Sequence, residues 1–289
     1  MKNYIIIFLF TLLIGPFCFG LNLTLHDYEN PSASHILDTH IMDDILIVVG
    51  MVGGIEIYDI SNPAVLNHLA NFTLPNNGGG GGAKPNCVST YNNYAYFTAK
   101  NGVAIVNLEN PSNPQFIGYI GNTNNMILEN LDIYENILAV CAHSDGILFF
   151  NLENPESPTL IDIYETENAW AVELTQNYLN QNIIVYLGSN SDLIILEINN
   201  NSIQLLNSIN YGGAIKDVLI NEEILYLALG SDGVKAFDLG TVDTPLILGH
   251  YNTAGMANRL DKLNNKVAVS DWDDVEVLEM NTTELAKVG

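Results

Sequence analysis

Three carboxylates lie within four residues in the stretch Ser270-Asp271-Trp272-Asp273-Asp274. Carboxylate oxygens at such close spacing are ligands that Ca²⁺ prefers. The stretch stands, however, between two apolar runs, where related segments of the chain have Ser-Asp-Gly turns. An EF-hand calcium loop would also need its own glycine and a distant glutamate. The pattern therefore favours a solvated hairpin turn over a metal site.

Asparagines in N-x-Ser/Thr sequons could carry N-linked glycans. The sequons begin at Asn22, Asn71, Asn200 and Asn281. Aligned on the repeat described next, all four fall on outermost strands or on turns that lead into them, where a glycan would have room. Asparagine is abundant in this chain, so accidental sequons are the alternative. We expect glycans at these sites if a eukaryotic cell secretes the protein.

A sequence unit that recurs six times must position all of these residues. Each copy has two runs of β-branched and aromatic residues around a turn of Gly, Ser, Asp or Asn, as in NILAVCAHSDGILFFNLENP. This pattern is typical of a β-hairpin. The copies span residues 44–63, 93–111, 136–155, 182–200, 223–241 and 265–281.

A weaker strand precedes each hairpin and another follows it, for example VSTY at 88–91 and TLIDIY at 159–164. Four short antiparallel strands with a period of roughly 40 to 50 residues are typical of a β-propeller blade. The sequence therefore predicts an all-β fold, a six-bladed β-propeller of four-stranded antiparallel blades. A single domain would span residues 21–289.

The glycine-rich stretch PNNGGGGGAKPN at 75–86 interrupts the longest interval between two hairpins. The repeat resumes in phase beyond it, so we expect an insertion between the outer strand of the first blade and the inner strand of the second. A phosphate-binding P-loop would need Gly-Lys-Ser/Thr opening a helix, whereas this chain has Gly-Ala-Lys-Pro. A surface loop is the remaining interpretation.

The motif after the second hairpin strand reads DISNP at 59–63, NLENPSNP at 107–114 and NLENPESP at 151–158. It resembles the LVIVD-repeat family of extracytoplasmic propellers, strongly in the first three units and loosely in the others. The resemblance implies a propeller on or outside the cell surface and implies no catalytic residues. The Asn-Pro pair itself is a turn signal, since Pro fixes φ and Asn can bond its own backbone.

The early positions of the inner strands should face the central channel, and several of them are polar. These positions hold Asp38, Cys87, Asn130, Asp217 and Arg259, with Trp170 near the equivalent place in the fourth copy. Propellers commonly bind ligands at this mouth, and six-bladed lactonases resemble this arrangement in holding calcium there. Polar residues would also line a water-filled channel without a ligand, and Arg259 would oppose a cation. We predict no metal site here, with Ca²⁺ as the alternative.

The segment 1–20 has a Lys near its start, an apolar run from Ile5 to Ile14, and then Gly-Pro with small residues. This layout predicts a cleaved signal peptide, because Gly15-Pro16 ends the run before it could span a membrane. No second apolar run is long enough to span, so we expect no membrane insertion. Cleavage would leave Cys87 and Cys141, for which two buried thiols are preferred over a disulfide.

The charge balance limits the partners of the chain. Nine Lys and Arg residues stand against 33 Asp and Glu residues, giving a net charge of −24. Nucleic acids and anionic lipids are bound through Lys and Arg, so this chain would repel both. Cations, glycans and other proteins remain as partners.

The end of the sixth copy leaves only TTELAKVG after its third strand. This segment looks too short for a fourth strand, whereas LNLTLHDYENPSA at 21–33 matches the outer strand of other blades. We therefore predict that residues 21–28 complete the last blade, because an unpaired edge exposes backbone donors and acceptors. The alternative is that this strand pairs with a neighbouring molecule.

The sequence thus predicts a secreted or cell-surface module that binds a protein or a glycan without catalysis, because blades account for nearly every residue and no catalytic motif is left over. A metal-dependent hydrolase or lactonase with its site at the channel mouth is the second hypothesis. The third is a homo-oligomer or extracellular fibre assembled by strand exchange.

Overall fold

A computed structural model describes residues 5–8, 25–29, 34–52, 54–62, 64–75, 83–100, 102–121, 126–272, 274–281 and 284–288. Its strands are numbered in chain order. The first two, β1 (Ile5–Phe8) and β2 (Leu25–Glu29), form an antiparallel pair. All later strands belong to six sheets of four strands each, and no helix occurs in the described ranges. The fold is an all-β, six-bladed β-propeller, as the sequence predicted.

Each blade uses four consecutive strands, ordered in the sheet as in the chain. Blade 1 comprises β3 (Ser34–Met42), β4 (Ile45–Val52), β5 (Gly54–Asp59) and β6 (Asn67–Phe72). Blade 2 comprises β7 (Pro85–Tyr91), β8 (Tyr94–Ala99), β9 (Gly102–Asn107) and β10 (Gln115–Ile120). Blade 3 comprises β11 (Leu131–Tyr134), β12 (Ile137–Cys141), β13 (Ile147–Asn151) and β14 (Thr159–Tyr164). Blade 4 comprises β15 (Ala169–Gln176), β16 (Ile183–Ser189), β17 (Asp192–Asn199) and β18 (Ser202–Asn210). Blade 5 comprises β19 (Asp217–Asn221), β20 (Ile224–Ala228), β21 (Val234–Asp238) and β22 (Leu246–Tyr251). Blade 6 comprises β23 (Arg259–Leu263), β24 (Lys266–Ser270), β25 (Val275–Met280) and β26 (Leu285–Lys287).

The chain divides into two compact units, which are described separately. One comprises Met1–Leu131 with Asn151–Leu160, and the other comprises Asp132–Phe150 with Ile161–Gly289. The first unit contains blades 1 and 2, and the second contains blades 4, 5 and 6. The division passes through the strands of blade 3.

The second strand is buried and apolar on both faces in several blades, most completely in β16, whereas β24 of blade 6 ends on the exposed Ser270. Every residue of β16 is buried, whereas the outer strand β18 alternates between exposed and half-buried positions. In the second unit, Ile184 and Leu225 belong to one apolar cluster that joins blades 4 and 5. The two-sided burial explains why the hairpin strands read as unbroken Val, Ile and Leu runs.

The Asn of each Asn-Pro pair makes the backbone bond that the sequence indicated: Asn62 accepts from Ala64 N at 3.2 Å, Asn110 from Ser112 N at 3.2 Å, and Asn154 from Glu156 N at 3.3 Å. A second bond of this kind stands earlier in the same turn and was not predicted. In each case the last residue of the strand accepts the N–H of the residue two positions on. The pairs are Asp59 with Ser61 at 2.8 Å, Asn107 with Glu109 at 2.7 Å, Asn151 with Glu153 at 2.7 Å, and Asp238 with Gly240 at 2.7 Å. Asp238 makes this bond although its copy has lost the Asn-Pro pair, so the carboxylate or amide oxygen is the feature that the turn retains.

The prediction that residues 21–28 complete blade 6 is wrong. The fourth strand of that blade is β26, in which Leu285 pairs with Met280 and Lys287 with Leu278. Strand β2 pairs with β1 instead. A three-residue strand suffices because Leu285 is buried in the core between blades 5 and 6, and because the N–H of Val288 continues the pairing to Val277 O at 2.8 Å.

The glycine-rich stretch connects β6 to β7, which are the outer strand of blade 1 and the inner strand of blade 2. Its residues 76–82 lie outside the described part of the chain. At its borders, Pro75 O accepts the Tyr119 hydroxyl at 2.6 Å, and Leu74 and Ala83 are buried. The insertion therefore starts and ends on residues that belong to the blades.

Two further expectations concern the cysteines and the membrane. Cys87 and Cys141 are both buried thiols, as predicted. Among the residues that the structure describes, no helix has the length and apolar character needed to cross a membrane.

Candidate functional site

The strand register locates the residues predicted for the channel mouth. Asp38 lies opposite Val49, Asp217 opposite Ala228, and Arg259 opposite Ser270, and each partner is the fifth residue of the second strand. In blade 4 the fifth residue of β16 is Leu187, which lies opposite Val172. Trp170 is two residues earlier, at a register irregularity between Ala169 and Ala171. The equivalent position in blade 4 is therefore the buried Val172, and Trp170 is near it, two residues earlier, as predicted.

Carboxylates on the inner strands accept backbone N–H groups from the inner strand of the next blade. In the first unit, Asp38 Oδ2 accepts from Val88 N at 2.8 Å. The second unit contains three more bonds of this kind: Asp132 Oδ2 from Leu174 N at 2.7 Å, Glu173 Oε1 from Ile220 N at 3.3 Å, and Asp217 Oδ2 from Leu260 N at 2.8 Å. These bonds join neighbouring blades, and those of Asp38, Asp132 and Asp217, at 2.7 to 2.8 Å, are shorter than that of Glu173.

The remaining first-unit candidates also contact the adjacent blade. Asn130 Nδ2 lies 3.8 Å from Cys87 Sγ. Cys87 N donates to Thr98 Oγ1 at 3.0 Å, and that hydroxyl donates to Glu129 O at 3.2 Å. The side-chain amide of Asn130 and the thiol of Cys87 are thus part of a polar connection between β7, β8 and the segment before β11.

In the second unit, Asp217 and Arg259 form an ion pair with a 3.7 Å separation. The Asp217 side chain is 11% exposed and the Arg259 side chain 40% exposed. Asp217 Oδ1 also accepts its neighbour's N–H, from Val218 at 3.0 Å. Both carboxylate oxygens therefore have partners, and the adjacent guanidinium disfavours a cation at this carboxylate.

Inner-strand residues that the sequence analysis missed lie close to these candidates. Lys262 Nζ is 3.8 Å from Glu173 Oε1 and donates to Ile220 O at 3.2 Å. Asp132 and Glu173 lie near enough for the charge of Asp132 to act on Glu173. A search for Asp or Glu anywhere on the inner strands, instead of at one aligned position, would have found both.

Two of these carboxyl groups have shifted pKa values. Burial is the main cause that raises the pKa of Asp132 to about 6, while the N–H groups of Leu174 and Ile133 and the charge of Lys262 act in the opposite direction. Burial also raises the pKa of Glu173 well above its usual range, and the negative charge of Asp132 raises it further. The two half-buried acids and the exposed Lys262 form a small network in which both carboxylates resist ionisation.

An aromatic group lies on the side of the second unit where the inner strand β15 begins. The Lys216 Nζ is 4.9 Å from the centre of the half-buried Trp170 ring, and the His143 ring centre is 6.1 Å from that of Trp170. Tyr211 lies nearby in sequence, with Lys235 Nζ 5.9 Å from its ring centre. Aromatic faces beside cationic and imidazole groups can stack with a sugar ring or with an arginine or aromatic side chain of a protein.

The predicted solvated turn of blade 6 is not solvated at its first acidic residue. Asp271 is fully buried, at 0% exposure, and its Oδ2 accepts from Gly255 N at 2.8 Å. Oxygens of Asp271, Asp274 and Glu276 lie within 4.8 Å of one another. Desolvation and then the hydrogen bond and charge of Asp271 raise the pKa of Asp274. Asp273 lies outside the described residues. The solvated-turn interpretation is therefore wrong for Asp271 and agrees with the exposed Trp272 and Asp274, and it did not consider Glu276, which follows on β25.

The structure describes three of the four sequons. Asn71 is exposed on β6, the outer strand of blade 1, and Asn200 is exposed in the turn between β17 and β18. Asn281 is exposed directly after β25. Asn22 lies outside the described residues. The described sequons are therefore accessible, and their use stays a prediction.

No protein-family model matches this chain, and no curated protein matches it. The resemblance to the LVIVD-repeat family therefore stays a prediction. Solved structures do match over most of the chain, as propellers of low sequence identity.

One similar structure is a protein from Lactobacillus plantarum, with a TM-score of 0.73 and 14% identity over 93% of this chain and 87% of that one. A candidate 6-phosphogluconolactonase of Bacteroides fragilis has a TM-score of 0.72 and 10% identity over 92% and 88%. The periplasmic gluconolactonase of Pseudomonas aeruginosa has a TM-score of 0.69 and 10% identity over 93% and 88%. Identities this low support the β-propeller fold alone.

Proposed function

We propose that this protein is a secreted or cell-surface β-propeller that binds a protein or a glycan without catalysing a reaction. One observation carries the proposal. The inner-strand carboxylates, which a propeller enzyme would direct at a metal or substrate, accept backbone N–H groups of the next blade at Asp38, Asp132, Glu173 and Asp217. A carboxylate that already accepts a hydrogen bond between two strands is poorly placed to coordinate a metal ion or to bind a substrate.

The charge of the chain and the apolar run at residues 5–14 support the location and the partner class. An excess of 24 negative charges opposes binding to nucleic acid and to anionic lipid. The exposed sequons Asn71, Asn200 and Asn281 fit a secretory route. The Trp170 group supplies a surface on which a sugar or a side chain could stack.

A lactonase is the second candidate, favoured by the gluconolactonase of Pseudomonas aeruginosa among the similar structures. Its site would be at the channel mouth, with Asp217 as a calcium ligand. The ion pair from Asp217 to Arg259 argues against this role. Strand β26 occupies the edge of blade 6 that the strand-exchange hypothesis left open, so the fibre is the weakest of the three.

A lactone hydrolysis assay separates the first two candidates. The full chain is mixed with gluconolactone or 6-phosphogluconolactone in the presence of Ca²⁺, and acid release is followed. We expect no rate above that of buffer. Calcium-dependent turnover that Asp217→Asn abolishes, with the circular dichroism spectrum unchanged, would replace the binding module by the lactonase.

Binding itself is measured on a variant with one tryptophan. The chain has two, so Trp272→Phe leaves Trp170 as the only indole. We expect its fluorescence to change when the matching oligosaccharide or cell-surface protein is added, and Lys216→Ala to weaken the response. A Trp170 signal that stays constant while binding occurs would place the surface elsewhere on the molecule.

A further inference from the structure

The turn between β24 and β25 holds Asp271 and Asp274, and Glu276 follows on β25. One oxygen of each of these three residues lies within 4.8 Å of the others. Asp271 is 0% exposed and Glu276 is 2% exposed. Three acidic groups at this distance repel one another, so the fold must compensate their charge. We propose that this turn of blade 6 is a calcium-binding site formed by Asp271, Asp274 and Glu276.

Comparison with the other blades shows that the fold does not itself demand an acid here. Asp271 follows directly on the last residue of the second strand, as Ala142 does in blade 3 and Leu229 in blade 5. All three are buried, with exposures of 0%, 0% and 1%. The residue after each has a positive φ: 50° at His143, 59° at Gly230 and 87° at Trp272. Blade 6 therefore has a carboxylate in a slot that other blades fill with an apolar side chain.

An orphaned oxygen is the second, independent observation that points to a ligand. Glu276 Oε1 is 2.7 Å from Lys287 Nζ, whereas Glu276 Oε2 is buried and has no hydrogen-bond partner among the residues that the structure describes. A buried carboxylate oxygen without a donor costs free energy, and native structures rarely leave one. A cation among the three acids would supply its partner.

Thr253 adds another buried oxygen in the same part of the second unit. Its side chain is 4% exposed, and Oγ1 has no partner. Thr253 is two residues before Gly255, whose N–H binds Asp271 Oδ2 at 2.8 Å. A neutral hydroxyl is a suitable further ligand for a hard cation.

The charge around the three acids and the type of their donor atoms indicate which ion would bind there. Among the described residues, Lys287 forms an ion pair with one of the three acids, Glu276. A divalent cation would offset the charge of three carboxylates that lie this close together. All available donors are oxygens, which excludes a preference for zinc or copper, and an irregular turn suits the flexible coordination of Ca²⁺ better than the strict octahedron of Mg²⁺. The three acids are not among the channel-mouth candidates, although Ser270, which precedes Asp271, pairs with Arg259, and a calcium site here goes beyond the proposed function.

The test uses the full chain with Ca²⁺ or EDTA. Extracellular calcium modules have a Kd of about 0.1–1 mM, so 10 mM Ca²⁺ should raise the Tm by about 3–5 °C over EDTA. Tb³⁺ takes the place of Ca²⁺ in a second measurement. Excitation of Trp272, which lies inside the turn, should give sensitised Tb³⁺ emission that persists in Trp170→Phe and disappears in Trp272→Phe.

Matched variants decide between this turn and other acids. Asp274→Asn and Glu276→Gln should each weaken Ca²⁺ binding at least about tenfold, because each removes a charged ligand. Asp145→Asn, in the exposed turn of blade 3, should leave binding unchanged. Thr253→Val should weaken binding less than the acid variants. Asp274 is exposed, so its variant should fold even if Glu276→Gln does not.

Two outcomes would overturn the site. The first is an equal Tm in Ca²⁺ and EDTA without Tb³⁺ emission, which would leave Asp271 and Asp274 as a pair that shares a proton. The second is a calcium response that Asp274→Asn retains and Asp217→Asn loses. That result would move the ion to the channel mouth and would also contradict the proposed function, whereas the first outcome leaves the proposed function intact.

Discussion

The inner strands and the blade 6 turn both bury carboxylates, but they treat them in opposite ways. On the inner strands, Asp217 has both oxygens on backbone N–H groups, at 3.0 and 2.8 Å. In the turn, Glu276 keeps one oxygen without a hydrogen-bond donor. A buried carboxylate can stay in the fold where fixed N–H groups donate to its oxygens. Where one of its oxygens has no donor, the carboxylate indicates a binding site for a ligand. The variants described next test this difference between the inner strands and the turn.

The largest effect should come from giving blade 5 the acid of blade 6. Leu229→Asp is made in a Lys235→Ala background, because position 276 corresponds to Lys235 on β21 and its ammonium could pair with the new acid. It then places an unpaired carboxylate in an apolar slot. We expect unfolding to become easier by about 4 kcal/mol, measured by urea titration. Leu229→Asn in the same background is the control for charge. Equal stability of the two variants would show that the slot tolerates a charge without a cation.

A somewhat smaller loss should follow removal of an inner-strand acid. Asp217→Ala leaves the N–H groups of Val218 and Leu260 without their acceptor, so we expect a loss of about 3 kcal/mol in urea titration, independent of Ca²⁺. Asp162→Ala is the matched control, because Asp162 bonds only its neighbour Ile163 N at 2.8 Å and is exposed. A loss as small as that of the control would mean that the bonds between blades contribute little.

The inner-strand acids should also make stability depend on pH. The pKa of Asp132 is raised to about 6, above its usual 3.8, so the folded protein binds more protons than the unfolded chain between about pH 4 and 6. Stability from this group is therefore present below about pH 4 and is lost as the pH rises through 6. Between pH 4.5 and 7.5 we expect a loss of about 2 kcal/mol that Asp132→Asn removes.

The measurement is the urea midpoint at each pH. Glu153→Gln, which removes an exposed carboxylate on the turn after β13, serves as the control and should keep the pH dependence of the wild type. If Asp132→Asn retains the full slope, Asp132 is not its source, and Glu173 or the overall negative charge would explain it instead.

The smallest effect concerns the backbone of the turn. Trp272 has φ of 87° and a side chain that is 78% exposed. Side chains other than glycine are strained there, and blade 5 uses Gly230 at the equivalent position. Trp272→Gly should therefore stabilise the protein in EDTA by about 1 kcal/mol. Asn264→Gly, in the turn between β23 and β24 at φ 54°, is a comparison for which we expect less gain because Asn tolerates this region.

The sequence predicted the blades because their signals are local. A hairpin such as β8 and β9 can be recognised from two apolar runs and a turn within some 15 residues. Because this unit repeats along the chain, the bladed architecture can be predicted as well. The backbone bonds of Asn110 and Asn154, each in an Asn-Pro pair, were predictable for the same reason, whereas those of Asn107 and Asn151 were not predicted. The last strand was not, because three residues carry no pattern of their own. β26 forms through burial of Leu285, which depends on the neighbouring blade.

The site residues depend on distances between segments that the sequence does not encode locally. Asp132 and Glu173 were missed because only one aligned position per inner strand was considered. Asp271 was read as solvated because Ser-Asp turns usually are, and its burial follows from the segment around Gly255, which covers it. Glu276 joined this group only when the strand pairing placed it beside the turn.

The bonds between inner strands also mark particular amide protons. The amides of Val88, Leu174, Ile220 and Leu260 donate to side chains of the preceding blade. Their exchange with solvent deuterium requires two blades to part, whereas other strand amides exchange when a single sheet frays. These four protons would therefore distinguish a propeller that opens between blades from one that unravels within them.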